Sequence, residues 1–173
     1  MGSILTAYFS RAGENYFGGQ MRYVKVGNTE IAAAFIEKLV DTDMYKIDMQ
    51  SPYSEDYKTC VNEAVRDLKS AARPEIVDPP ESVQGYDTVI LAYPNYCGTV
   101  PCAVFTFLEK YDFSGKTILP LCTNEGSGMG KSVSDIKNTC PGAKVMNGLA
   151  IIGSNVASAE PEIRNWLGEC GLL

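Results

Sequence analysis

Histidine is absent from all 173 residues. That gap removes Ser-His-Asp and Cys-His nucleophile pairs, His-bearing zinc spacings and a histidine general base together. The six cysteines, Cys60, Cys97, Cys102, Cys122, Cys140 and Cys170, form no CxxC pair. Scattered in this way they read as reduced, small apolar core residues, and no metal site is expected. No apolar run approaches the roughly 18 residues of a membrane span, and no leader precedes the first apolar run, so the expectation is a cytoplasmic chain. Basic residues are also in deficit: 15 Lys and Arg against 21 Asp and Glu give a net charge of −6. Arg22 and Lys25 are too small a basic cluster for nucleic acid. The acidic balance suits protein partners with basic docking surfaces, met by a monomer or weak dimer.

What is present is alternation between short buried runs and longer amphipathic ones. Residues 4–9 (ILTAYF) form a continuous apolar run, consistent with a strand covered on both faces. Ile31, Phe35 and Leu39 then recur at helical spacing, with Asn28 as the expected N-cap. A short strand is expected over 43–49. A helix from Ser54 onward places Tyr57, Val61, Ala64, Val65 and Leu68 on one inner face. Strands follow at 88–93, 117–122 and 145–152, with Pro120 awkward inside a paired strand. Helices begin at Pro101, run over 131–139 and 159–167, and the last is packed by Trp166, the single tryptophan.

These are five βα units, which imply α/β architecture: a parallel sheet with helices on both faces, in one domain spanning 1–173. In such sheets ligands bind beyond the carboxyl ends of the strands. Three loops meet there. The first opens SRAGEN at Ser10 and closes GNTE at 27–30, offering hydroxyls, amides and helix N-terminal N–H groups suited to a phosphate, to which Arg11 adds a charge. An ordinary N-capped surface loop has the same composition. Its halves are separated by an insert, residues 16–26, in which Gly18-Gly19 can turn a small hairpin. The second loop is YPNYCGTVP (93–101), with Tyr96 to stack on a flat ring and Gly98 to let backbone approach. The third, CTNEGSGMG (122–130), offers hydrogen bonds to the edge of a polar heterocycle.

On these segments the chain resembles a flavodoxin over nearly its whole length, and is most similar to a flavodoxin-like group whose phosphate loop is split by an insert. The resemblance implies a three-layer αβα sandwich, a five-stranded parallel sheet of order 2-1-3-4-5, and non-covalent FMN. It places Ser10, Arg11, Ala12, Asn15, Asn28 and Thr29 around the phosphate. Pro94, Asn95, Tyr96, Cys97, Gly98 and Thr99 line the isoalloxazine, and Thr123, Asn124, Glu125, Gly126, Ser127 and Gly128 bound its pyrimidine side. Tyr96 and Cys97 stand where the group usually has two tryptophans, and Asn124 where it often has histidine, which implies less ring coverage. No catalytic side chain is implied, because the flavin carries the redox chemistry.

Two other motifs lead elsewhere. Residues 124–132, NEGSGMGKS, end in the Gly-Lys-Ser of a nucleotide P-loop, but the first glycine of that pattern falls at Glu125, whose carboxylate would repel phosphate. Residues 60–66, CVNEAVR, spell the Cys-x5-Arg of a phosphatase loop, but within an amphipathic helix where no cradle can form. A response-regulator receiver would need acidic residues where Ser10 and Tyr93 stand. The functional expectation is a low-potential one-electron carrier between redox proteins. The alternatives are an NAD(P)H-dependent, quinone reductase-like FMN oxidoreductase, and a flavodoxin-like interaction module without cofactor.

Overall fold

Runs that are apolar on both faces become interior strands, and amphipathic runs become their covering helices. A computed structural model, describing residues 2–173, contains β1 (Ile4–Tyr8), β2 (Gly13–Phe17), β3 (Gln20–Val24), α1 (Asn28–Leu39), β4 (Asp43–Lys46) and α2 (Tyr57–Lys69). These are followed by β5 (Thr88–Pro94), α3 (Cys102–Lys110), β6 (Thr117–Asn124), α4 (Ser132–Thr139), β7 (Lys144–Val145), β8 (Leu149–Ile152), a 3-10 segment (Gly153–Ser158) and α5 (Glu160–Glu169). The main sheet is wholly parallel, in the order β4-β1-β5-β6, with β7 and β8 following one another along the outer side of β6. With the β2–β3 hairpin set aside, this is the 2-1-3-4-5 order of a flavodoxin-like αβα sandwich.

The pleat explains the two cores. Along β5, Val89, Leu91 and Tyr93 face one side with Val104 and Phe107 of α3 and Ile136 of α4. The intervening Ile90 and Ala92 face the other side with Ala32 and Ile36 of α1 and Ile163 and Trp166 of α5. All five of these β5 residues are fully buried, which is why the strand reads as an unbroken apolar run rather than an alternating one.

The strand expected over 43–49 ends at Lys46 and the helix expected from Ser54 starts at Tyr57; three further differences have a visible cause or consequence. Residues 145–152 form two short strands instead of one. The carbonyl of Ile118 accepts from Met146 N–H on the outer side of β6, and Pro120, two residues on, turns its missing donor to that same side. The edge strand is interrupted there and resumes where Leu149 pairs with Leu121. The N-cap of α1 is Gly27, with Asn28 the first helical residue; a Cβ at Gly27 would collide with the Ser10 hydroxyl, so close approach selects glycine over a capping side chain. The hairpin begins at Gly13, which pairs with Val24, and so takes in Asn15 together with residues 16–24 of the expected 16–26 insert. Its turn is Gly18-Gly19, both with positive φ.

Candidate functional site

The chain leaves β1, crosses to β4 at one side, and later returns as β5 on the other. The crevice at this switch point opens into a cavity of about 410 Å³, within the size range of small-molecule sites. From the first loop Arg11, Asn15 and Asn28 reach it; from the second, Pro94, Asn95, Tyr96 and Cys97; from the third, Thr123, Asn124, Glu125 and Ser127. The three loops expected to converge therefore border one space.

The remaining expected residues shape the loops from behind. Ser10 Oγ accepts from the N–H of Glu30 at 3.0 Å, capping the first turn of α1 from outside. The Thr29 and Thr123 hydroxyls pair at 2.8 Å in the buried interior. Thr99 Oγ1 donates to Asp135 at 2.5 Å. Asn95 donates to Gly128 O at 2.9 Å and accepts from Gly98 N–H at 2.9 Å, fastening the second loop to the third. Asn124 Oδ1 accepts from the N–H groups of Gly126 and Gly128, so those glycines curl around a side chain of their own loop. Ala12 is exposed and outside the cavity wall.

Arg11, which also borders the cavity, has a bracing task that its loop alone does not reveal. Its guanidinium donates to Glu14 O at 2.6 Å, to Ser54 O at 2.7 Å and to Glu55 O at 2.7 Å. Donors assigned to a phosphate are thus committed to holding the hairpin and the entry to α2 together. Tyr96 also differs. Its ring packs edge-on against Phe9, with centroids 5.6 Å apart, and lies 6.3 Å from Tyr53. It lines the cavity while packed against these two rings. Burial raises its phenol well above the ordinary value.

The wall contributed by α2 was missed. Tyr57, Cys60, Val61 and Ala64 face the cavity, although their helical spacing reads as an ordinary core face. Val61 is 37 % exposed, and the start of α2 is fastened to the hairpin: Glu14 accepts from Tyr57 N–H at 3.2 Å, and Glu14 N–H donates to Glu55 O at 3.1 Å. Tyr16 and Gly153 also border the cavity. Cys60 lies inside α2 with its thiol raised, chiefly by burial, and Arg66 turns away to Asp67. Cys-x5-Arg is therefore not a thiolate cradle. Nor is Gly-Lys-Ser a phosphate loop: Lys131 N–H donates to Gly98 O at 2.8 Å, and Ser132 Oγ to Met129 O at 2.6 Å.

Fold and cavity together define a flavodoxin-like α/β protein with an open cavity at the sheet's switch point. A family model described as Flavodoxin matches residues 20–170, and the chain belongs to the flavodoxin family. Among solved structures it is similar to a candidate flavoprotein from Bacteroides eggerthii, at 27 % identity and a TM-score of 0.79 over 99 % of each chain. A candidate flavoprotein from Bacteroides uniformis is 23 % identical, with a TM-score of 0.78 over 96 % of this chain and 98 % of that one. A flavoprotein from Lactobacillus acidophilus, solved in complex with FMN, is 17 % identical, with a TM-score of 0.63 over 91 % and 98 % of the two chains. No curated protein matches the sequence. No helix among the described residues is long and apolar enough to cross a membrane.

Proposed function

We propose that the chain binds FMN non-covalently in this cavity and carries single electrons between redox proteins. The observation that supports this most is the division of the cavity. One part is polar, where Asn15 and Asn28 meet the start of α1, whose first N–H groups have no intrahelical partner. The other is bounded by Tyr57, Val61, Tyr96 and Cys97, a surface suited to a flat ring. A buried, unpartnered oxygen of Glu125 adds an acceptor in need of a donor. These features fit a phosphate, a polyol chain and a ring in that order.

When bound, FMN supplies the electron-accepting ring. The chain's own residues bind and orient it. Asn28 and Thr29 present helix N-terminal N–H groups to the phosphate, Tyr57 and Val61 cover one side of the ring, and Asn95 and Asn124 hold the neighbouring loops in shape. Burial raises the thiol of Cys60 and the phenol of Tyr96, and partial desolvation raises the thiol of the more exposed Cys97, so these groups stay largely protonated near neutral pH. The net charge of −6 disfavours an added electron on the ring, lowering its potential, and complements basic docking surfaces on cytoplasmic partners. A reductive titration of the FMN-loaded protein tests the carrier role. Two separate one-electron potentials are expected; a single two-electron step would contradict it.

A second reading is favoured by one feature of the cavity mouth. Because Tyr96 turns inward, Tyr16 at 44 % and Val61 at 37 % exposure are left as an open shelf on which a small acceptor could rest over the ring. NAD(P)H oxidation with a quinone as acceptor is its assay, and turnover there would displace the carrier reading.

Cys97 gives an independent probe of this wall. It is the one exposed thiol among the free cysteines; Cys60, Cys102, Cys122 and Cys140 are buried. Iodoacetamide should modify Cys97 first, read by peptide mass spectrometry. Burial raises its thiol above the ordinary value of 9.0, so the alkylation rate should keep climbing as pH passes 9, where more thiolate forms. Added FMN should slow the reaction.

A further inference from the structure

One carboxylate in the cavity wall is half used. Glu125 Oε2 accepts from the N–H of Gly18 at 3.2 Å and from the Ser154 hydroxyl at 3.1 Å, tying the tip of the hairpin to the 3-10 segment. The other oxygen, Oε1, is buried and has no hydrogen-bond partner among the described residues. Its place is fixed by Gly153, where an added Cβ would collide with the Asn28 amide and come within 3.0 Å of Oε1. Glu125 therefore belongs to the Asn28 side of the cavity, near the hairpin tip. A carboxylate oxygen removed from water is costly unless something donates to it, and no neighbouring group does.

We propose that Glu125, which the resemblance set at the pyrimidine side of the ring, instead reads the polyol chain of the flavin, taking a ribityl hydroxyl on Oε1 while Oε2 holds the insertion hairpin in position. This rests on the FMN reading above. Among the donors FMN carries, the ring N–H lies at the end of the molecule remote from the phosphate, whereas Glu125 lies beside Asn28 at the start of α1. The phosphate is mostly a dianion near neutral pH and has little to donate. The hydroxyls between ring and phosphate are the donors that remain. The insert thereby acquires a role: its tip amide fixes the rotamer of the residue that recognises the chain.

Flavin-fluorescence titrations of wild type, Glu125→Ala, Glu125→Gln and Ser154→Ala with FMN, riboflavin and lumiflavin test this, with circular dichroism confirming each fold. Lumiflavin has the ring without the polyol. Glu125→Ala should weaken FMN and riboflavin about tenfold each and leave lumiflavin within about twofold. Glu125→Gln, which keeps the shape and one acceptor, should weaken the same two ligands by roughly threefold, and decides the matter if the alanine variant does not fold. Ser154→Ala removes one of the two donors that hold Oε2 and should weaken FMN and riboflavin less than Glu125→Ala does, with lumiflavin again within about twofold. Equal weakening of all three ligands, no change in any, or tighter FMN binding with riboflavin unaffected would each overturn the role of Glu125 alone. A wild-type protein that quenches none of the flavins would overturn the FMN reading itself, and this one with it.

Discussion

Arg11→Lys should lower the free energy of unfolding by about 2 kcal/mol and weaken FMN binding at least tenfold, although the charge is kept. The guanidinium serves carbonyls from two segments, Glu14 in the hairpin and Ser54 and Glu55 before α2. A planar fork can reach them simultaneously; an ammonium on a flexible stem cannot. Freed carbonyls at this junction loosen the hold on α2, whose Tyr57, Cys60, Val61 and Ala64 make one wall of the cavity. Urea denaturation and flavin titration read the two effects separately. If Arg11 instead served mainly as a charge for phosphate, Arg11→Lys would melt like wild type and bind nearly as well.

Gly130→Ala should cost about 3 kcal/mol, or roughly 8 °C in melting temperature for a chain of this size. Gly130 has φ +53, where a Cβ is itself unfavourable, and that Cβ would collide with the backbone carbonyl of Gly98. The same carbonyl accepts from Lys131 N–H, so the contact cannot open without separating the second and third loops. Thermal unfolding followed by circular dichroism measures the loss. A nucleotide P-loop would behave otherwise, with stability nearly intact and phosphate binding lost.

The sheet was legible because its strands are buried on both faces: 4–9, 88–93 and 117–122 carry almost no polar residue, and only an interior parallel strand wants that. The loops were legible as a set because the parallel topology brings the ends of β1, β5 and β6 to one edge. The α2 wall was not. Tyr57, Val61 and Ala64 have the spacing of a core face, and periodicity identifies a helix's apolar side without saying whether side chains or a cavity lie opposite. The bracing role of Arg11 was hidden for a related reason. A cation in a phosphate-type loop suggests an anion, but backbone carbonyls compete for the same donors, and those at 54–55 are distant in sequence. Tyr96 likewise could be placed in its loop from sequence, while its inward turn depends on Phe9 and Tyr53. The split of the last strand does have a local cause, Pro120, but its consequence falls on the neighbouring edge strand.

The central claim is that this cavity holds FMN, and the most direct measurement is a titration of the flavin-free protein with FMN, followed by fluorescence quenching. Saturable one-to-one quenching with a Kd of about 1 μM or tighter, some −8 kcal/mol, is expected, with protection of Cys97 from alkylation over the same concentrations. Unchanged flavin fluorescence and unprotected Cys97 at millimolar FMN would contradict it.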